Sequence, residues 1–338
     1  QELSPAAQKI RTHTIILPMK KTSGWLEKIP GEALLLLAAV IWGTGFVAQR
    51  KAMDSMQPFA FIAMRFLLGC LVLLPGVILT QKSKLPQTKT TNPWKEAFRQ
   101  NILPGIVPGF FLFAGASMQQ LGIMTTSAAK AGFITSLYLV LVPLIGLFFG
   151  KRVNEWVWVG VAIALMGVFY LSVDMELTIH RGDVLMIIGA FFWAMQILSL
   201  DHFSAYTNSL SLAFGQFLTT AILGLVFSLA IEGTALFSDS PAWGPLLYSG
   251  IFAVGIGFTL QVFGQSKVNP TLASLIMSLE AVFAMISGML FLGEQLTARE
   301  CLGGLLMMAA VVLVQLKGQQ QKSVSEEITA HKIIEPDS

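Results

Sequence analysis

Hydrophobic residues along this chain gather into ten long runs that are separated by short polar or proline-containing stretches. Each run is close to the roughly 20 apolar residues that a helix needs to cross a hydrocarbon layer of about 30 Å, at a rise of about 1.5 Å per residue. The pattern therefore predicts ten transmembrane helices. They lie at approximately 33–52, 58–80, 101–122, 127–149, 155–173, 183–200, 209–231, 244–266, 271–293 and 298–316.

The runs do not alternate between apolar and polar residues, as the strands of a membrane barrel would. Uninterrupted apolar stretches at 34–41 and 305–316 are examples. Because lipid offers no hydrogen bonds to the backbone, a helix is the structure that such a run adopts. The predicted fold class is all-α, a polytopic membrane protein.

Composition and charge narrow the possible partners. Of the 338 residues, 54% are hydrophobic and 12% are charged, whereas soluble domains carry roughly 25% charged residues. The mean hydropathy is +0.69, so the chain has more apolar residues than the core of a soluble protein of this size could bury. The formal net charge of +3 comes with no basic patch, so a nucleic-acid partner is not expected.

The distribution of lysine and arginine predicts how the chain is oriented. With the amino terminus inside, sixteen of these residues lie on the cytoplasmic side and four on the outside. Both termini are therefore expected to be cytoplasmic, in a bacterial-type cytoplasmic (inner) membrane. Residues 1–18 precede Met19, a natural start, and we expect them to be an extension or a non-native segment.

The two halves of the chain carry the same residues at a near-constant spacing. Trp193 follows Trp42 by 151 residues, and Gln261 follows Gln119 by 142 residues. Each half holds five runs, an odd number, so the second half inserts upside down relative to the first. Inverted repeats are typical of secondary transporters, with the binding site near the bilayer midplane. We therefore predict a five-plus-five inverted repeat, with Gln119 and Gln261 as cavity candidates.

This organisation divides the chain into four parts. They are a cytoplasmic tail at 1–30, a first repeat at 31–174, a second repeat at 182–317 and a cytoplasmic, disordered tail at 318–338.

Three of the charged side chains inside the apolar runs are candidates for function. Glu280 lies near the middle of the ninth run, where a charge is costly unless it is paired, protonated or hydrated. Its functional interpretation is coupling to protons, and its structural one is a protonated carboxyl bonded to a neighbouring helix. Arg65 is expected to bind a substrate carboxylate, to pair with Glu280 or to hold helix ends. Lys130 lies near the outer end of the fourth run, where snorkelling competes with substrate binding.

Two repeat-related helix faces combine tryptophan with amide side chains. Trp42, Phe46 and Gln49 share one face of the first run, at i, i+4 and i+7. Trp193 and Gln196 occupy a similar face of the sixth run. Aromatic stripes usually pack in a core, whereas amides inside hydrocarbon seek the interior of a bundle. Packing and cavity lining both stand as interpretations of these two faces.

Several short motifs carry a resemblance to a known family. They are IWGTGF at 41–46, RF at 65–66, TSAAKAGF at 126–133, SLEAVFA at 278–284 and LGE at 292–294. With these motifs the chain resembles the EamA family of the drug/metabolite transporter superfamily over roughly residues 31–317. The family commonly has Glu-Pro where this chain has Glu280-Ala281, which we expect to straighten the ninth helix locally.

The resemblance implies a ten-helix exporter or facilitator of amino acids or other small metabolites, with helices 1–4 and 6–9 around the cavity. The predicted function is secondary transport, the export of an amino-acid-like or other small organic metabolite by alternating access. Its expected partners are a small-molecule substrate, the lipid bilayer and protons as the candidate coupling ion.

An enzyme is not expected, and neither is a metal or another cofactor. No apolar run contains a histidine, which removes a histidine metal site and a Ser–His pair from the membrane. The chain has no P-loop, so ATP is not the predicted driving force.

Three other function classes remain open. A passive facilitator or channel would conduct without coupling, and Glu280 would then be dispensable. A nucleotide-sugar or lipid-linked-sugar transporter shares the scaffold, so a substrate screen is needed to distinguish it. A membrane-embedded structural or receptor protein is disfavoured by the short outer loops, which offer a partner little surface.

Overall fold

A computed structural model describes residues 25–82, 102–125, 128–151, 153–172, 181–233, 242–292 and 297–334, and all regular structure in these ranges is helical. A 3₁₀ turn precedes α4, and two π-helical segments follow α9 and α10. The α-helices are α1 (Trp25–Lys28), α2 (Gly31–Ala52), α3 (Pro58–Lys82), α4 (Ile106–Ile123), α5 (Ala128–Thr135), α6 (Tyr138–Phe148), α7 (Glu155–Ser172), α8 (Arg181–Ser204), α9 (Ser209–Phe227), α10 (Trp243–Leu247), α11 (Thr259–Gln265), α12 (Pro270–Met277), α13 (Glu280–Leu292) and α14 (Ala298–Ile334).

Within these described ranges, seven helical segments are long and apolar enough to cross a membrane. They coincide with the first, second, third, sixth, seventh, eighth and ninth predicted runs. Shorter apolar helices occupy the other three runs. These are Tyr138–Phe148, Glu155–Gly167 and Cys301–Lys317. The protein is therefore a multi-helix membrane protein, and the count of ten spans stays a prediction.

Side chains are distributed as a lipid environment requires. Along α3, the leucines Leu67 and Leu71 are more than half exposed, while Arg65 on another face is 5% exposed. Buried polar side chains recur in the other long helices, for example Gln196 and Gln261. Leucine side chains on the outer surface are stable in contact with hydrocarbon. Polar side chains need hydrogen-bond partners, which they find inside the bundle.

Close glycine contacts join the helices at two equivalent places. Gly31 of α2 packs against Gly264 of α11, where an added Cβ would lie 2.8 Å from the Gly264 carbonyl oxygen. Gly182 of α8 packs in the same way against Gly122 of α4, at 2.7 Å from that carbonyl oxygen. The members of these two pairs are separated by the 151- and 142-residue spacings of the sequence repeat.

The buried apolar side chains form two main clusters. One is built from α6–α8 and α12–α14. The other is built from α3, α4, α9 and the π-helical segment Tyr248–Phe258. Trp42 and Trp193 pack against both clusters, so they stand at the boundary between them.

The carboxy-terminal segment differs from the sequence expectation. Residues 318–334, predicted to belong to a disordered tail, continue α14 as one helix that ends at Ile334. The segment contains three glutamines, two lysines and two glutamates, which favour helix, and no proline interrupts it before Pro336.

Gly105 provides a test of how tightly the amino-terminal end of α4 packs. A methyl group at this position would lie 2.6 Å from the Gly215 Cα and from the Gln216 backbone nitrogen. Backbone atoms cannot swing away, so we expect Gly105→Ala to lower the free energy of unfolding by about 1–3 kcal/mol. Thermal unfolding of the purified protein measures this. Gly244→Ala is the control, because nothing lies within 4 Å of the added methyl group there.

Candidate functional site

Two helices are broken at equivalent positions. Ser136 and Leu137 separate α5 from α6, and Ser278 and Leu279 separate α12 from α13. The two breaks are 142 residues apart in sequence, and they lie side by side, with Ser136 Oγ 3.5 Å from the Ser278 carbonyl oxygen. The α-helical pattern of the ninth run is thus interrupted directly before Glu280, and its local straightening stays a prediction.

A helix begins directly after each break, and the polar first residues of these two helices contact each other. Tyr138 is the first residue of α6, and Glu280 is the first residue of α13. The Tyr138 hydroxyl donates to Glu280 Oε1 at 3.1 Å, and both residues are about 5% exposed or less. A carboxylate at the first position of a helix also faces the positive end of the helix dipole. The side chain of Glu280 therefore lies next to both the Tyr138 hydroxyl and the amino-terminal end of its own helix.

Arg65 is held by Gln49 of α2, which also accepts from Gln119 of α4, and by two aromatic rings of its own helix α3. Its Nη1 donates to Gln49 Oε1 at 2.9 Å, and Gln119 Nε2 lies 3.4 Å from the same oxygen. The rings of Phe61 and Phe66 lie 5.1 and 5.3 Å from the guanidinium carbon, within cation–π range. We call Arg65, Gln49 and Gln119 the Arg65 cluster.

The charge of Arg65 has no carboxylate partner in the described part of the chain. Its Nε is buried without a hydrogen-bond partner there. It neither snorkels to the surface nor forms an ion pair with Glu280, which instead accepts from Tyr138. A buried guanidinium with a free donor favours an anionic group that arrives from outside the protein.

A cavity lined by polar and aromatic side chains lies between these features. Within the described ranges, no side chain of α7 or α14 lines it. Its wall is formed by Trp42, Phe46, Gln49, Arg65, Gln119, Thr135, Tyr138, Trp193, Ile197, Ala253, Val254, Phe258, Gln261, Met277 and Glu280.

Phe258 stands between the two repeat-related tryptophans. Its ring centroid lies 4.6 Å from that of Trp42 and 5.9 Å from that of Trp193, which stacks on it at 13°. Trp42 packs on Gly257 and Trp193 packs on Gly115, another pair of contacts at the repeat spacing. The three aromatic rings form one continuous wall of the cavity.

The two tryptophans differ in their hydrogen bonds. Trp42 Nε1 donates to the Ala253 carbonyl oxygen at 3.0 Å, and Trp193 Nε1 is buried without a partner among the described residues. We expect Trp42→Phe to lower the free energy of unfolding by about 0.5–1.5 kcal/mol more than Trp193→Phe does. Chemical unfolding of both variants measures this, and equal losses would contradict the importance of the Trp42 bond.

The structure brings together most of the residues that the sequence singled out. Of these candidates, eight line the cavity: Trp42, Phe46, Gln49, Arg65, Gln119, Trp193, Gln261 and Glu280. Gln196 is not among them, because it is fully buried beside the cavity and bonds Gln216 and Gln261. Lys130 belongs to α5, and its side chain lies outside the part of the chain that the structure describes.

Sequence reasoning missed Tyr138, Thr135 and Met277. The repeat itself could have found them, because Tyr138 precedes Glu280 by 142 residues and Thr135 precedes Met277 by the same number. Spacing indicates which positions are equivalent, and only the fold shows that equivalent positions touch.

Both halves of the chain match the same known protein family. A family model described as the EamA-like transporter family matches residues 29–173 and again 180–316. The chain belongs to the EamA-like transporter family. This EamA-like protein is therefore a membrane transporter and not an enzyme.

Named relatives agree with this assignment. An uncharacterized transporter of Archaeoglobus fulgidus is 34% identical over 294 residues, covering 86% of this chain and 88% of the relative. The uncharacterized inner membrane transporter YedA of Escherichia coli K12 is 24% identical over 297 residues, covering 86% and 92%. The threonine/homoserine exporter RhtA of Salmonella typhimurium is 26% identical over 258 residues, covering 74% and 84%.

A solved crystal structure shares the fold of this EamA-like chain. The two align with a TM-score of 0.68 at 18% sequence identity, covering 86% of this chain and 98% of the solved one. At this identity the likeness concerns the fold alone.

Proposed function

We propose that this EamA-like protein is a secondary transporter that exports an amino-acid-like or other small organic metabolite across the cytoplasmic membrane by alternating access. The observation that carries the proposal is the cavity, where two broken helices meet and where Arg65 and Glu280 face one space without pairing. Broken helices that supply a polar site are a recurring device of secondary transporters.

The proposed architecture is ten transmembrane helices in a five-plus-five inverted repeat, with both termini cytoplasmic. Three observations support the inverted repeat. The Gly31–Gly264 and Gly122–Gly182 contacts are equivalent, as are the tryptophan–glycine contacts. The breaks before Tyr138 and Glu280 are equivalent and adjoin. The lysine and arginine distribution supports the orientation.

The presence of Arg65 and Glu280 in one cavity supports an amino-acid-like substrate. A zwitterion would place its carboxylate on the free Nε of Arg65 and its ammonium near Glu280. The amides of Gln49, Gln119 and Gln261 add neutral hydrogen-bonding groups to the same wall. The printed name of RhtA, a threonine/homoserine exporter, makes threonine a reasonable first probe.

Proton coupling is assigned to Glu280. A carboxyl group that is buried against Tyr138 in one state and meets water or substrate in another changes its proton occupancy during the cycle. Protons are then the coupling ion, and no ATP is needed.

Release from proteoliposomes tests the proposal. Vesicles are loaded with labelled threonine in a pool of amino acids and nucleosides, and release is followed with and without a pH gradient. We expect release that accelerates with the gradient, relative to protein-free vesicles. Release that ignores the gradient favours the uncoupled facilitator, and no release of any component would overturn the proposed function.

A further inference from the structure

Three glutamine side chains meet beside the cavity. Gln196 Nε2 donates to Gln216 Oε1 at 3.1 Å and to Gln261 Oε1 at 3.2 Å. Gln261 Nε2 donates in return to Gln196 Oε1 at 3.1 Å. Gln196 and Gln216 are fully buried, and Gln261 is 2% exposed. We call these three side chains the amide cluster.

The amide cluster is the repeat counterpart of the Arg65 cluster. Gln216 follows Arg65 by 151 residues, and Gln261 follows Gln119 by 142 residues. Gln196 stands on α8, the counterpart of α2, one helical turn before the position that corresponds to Gln49. Each cluster thus takes one residue from each of three equivalent helices, α2, α3 and α4 in one case and α8, α9 and α11 in the other.

The two clusters lie at different depths in the bundle. Helices α3 and α9 pack antiparallel, with Gly224 of α9 against Ala63 of α3. In this register Gln216 lies about six residues beyond Arg65, or ~9 Å further along the helix axis. The amide cluster therefore adjoins the end of the cavity that is further from Arg65, and Gln261 connects it to the cavity wall.

One donor of the amide cluster has no partner in the described part of the chain. Gln216 Nε2 is buried without a hydrogen-bond partner there, and Trp193 Nε1, in the nearby wall, is in the same state. An unsatisfied buried donor costs free energy. A static packing contact gains nothing from such donors, whereas a site that receives a polar ligand in another conformation uses them.

We propose that the amide cluster is a second substrate subsite, closed in this conformation, which opens when the cavity faces the opposite side of the membrane. It would take the same anionic group, a carboxylate, that the Arg65 cluster takes in the present conformation. The inference rests on the proposed alternating access, because the repeat makes the two clusters exchange roles when the halves exchange positions.

The two subsites differ in charge, and this difference has a consequence for transport. Arg65 binds a carboxylate with a full positive charge, whereas Gln216, Gln196 and Gln261 offer neutral N–H donors, and charge-assisted bonds are roughly twice as strong. The substrate is therefore held more weakly at the amide cluster and leaves more readily from that side.

Thiol labelling of cysteine variants in proteoliposomes tests the proposal. Cys70 and Cys301 are first replaced by alanine, and Gln216→Cys is then treated with a small water-soluble thiol reagent on both sides of the membrane. A minor conformation is typically populated at about 0.1–10%, so we expect slow but complete labelling. Ser274→Cys is the matched control, because Ser274 is also fully buried, donates to the Thr271 carbonyl oxygen and lies outside both clusters. It should stay unlabelled.

Protection by substrate distinguishes a subsite from a water path. With the amino-acid pool at ten times its half-saturating concentration, occupancy should slow labelling of Gln216→Cys about tenfold. Gln265→Cys, one turn along α11 from the amide cluster, reports opening alone and should be slowed less. Equal slowing at both positions means that the pool shifts the conformation without occupying the amide cluster, which overturns the inference.

The remaining outcomes also decide between the two proposals. If Gln216→Cys and a second variant, Gln196→Cys, stay unlabelled while the wild type transports, the amide cluster is static and the inference is wrong. If the wild type transports nothing, the proposed function fails. Labelling of Gln216→Cys without any transport shows that the amide cluster opens, and the absence of protection by the pool then rejects it as a subsite.

Discussion

Glu280→Gln is expected to abolish gradient-driven accumulation of substrate while the protein still inserts and folds. A one-proton carrier with a gradient of one pH unit can draw on about 1.4 kcal/mol, which corresponds to roughly tenfold accumulation. Glutamine keeps the size of the side chain and an acceptor for the Tyr138 hydroxyl, which lies 3.1 Å from Glu280 Oε1, but it cannot exchange a proton. The accumulation ratio should therefore fall to about one.

Proteoliposome uptake with an imposed pH gradient measures this ratio. Glu155→Gln is the matched control, since Glu155 is exposed at the start of α7 and does not line the cavity. Accumulation by Glu280→Gln equal to that of the wild type would remove Glu280 from the coupling step. The carboxyl group would then be a structural partner of Tyr138.

Arg65→Lys is expected to raise the half-saturating substrate concentration by about 10- to 100-fold. Hydrogen bonds to charged groups contribute roughly 1.5–3 kcal/mol, and about 1.4 kcal/mol corresponds to a factor of ten. Lysine keeps the positive charge but lacks the planar fork that binds a carboxylate through two donors. It also loses the stacking of the guanidinium between Phe61 and Phe66.

Initial rates of threonine transport over a range of concentrations measure this change. Arg299→Lys is the control, because Arg299 also lies over aromatic rings, those of Phe169 and Tyr170, but does not line the cavity. An unchanged half-saturating concentration in Arg65→Lys would exclude a carboxylate-binding role. A lower maximal rate at unchanged affinity would instead assign Arg65 to the conformational change.

Much of the site follows from helical periodicity and from the repeat. Trp42, Phe46 and Gln49 share a face because residues at i, i+4 and i+7 do so on any helix, and this face lines the cavity. In the sixth run, only one of the two residues predicted to share a face lines the cavity. Trp193 lines the cavity, whereas Gln196 turns into the amide cluster.

The helix breaks and the π-helical segment had no signal in the hydrophobic pattern. At its break the fourth run carries only the small polar residues Thr135 and Ser136, which do not end a hydrophobic run, and the eighth run is apolar through most of Tyr248–Phe258. Hydropathy measures the free energy of transferring side chains from water to lipid. This free energy depends on the residues and is nearly the same whether or not their helix is broken. The hydrogen-bonding pattern of the backbone is decided by the helices packed around it.

The sequence by itself determined that the chain is a membrane protein of many helices, that its two halves are related, and that it resembles the EamA family. These properties depend on composition and spacing, which are one-dimensional. Only the tertiary structure decided which charged residues face each other. Arg65 bonds Gln49 and Glu280 bonds Tyr138, and these partners stand on different helices that only the folded chain brings within hydrogen-bond distance. The result is a cavity that Arg65 and Glu280 both line without bonding each other.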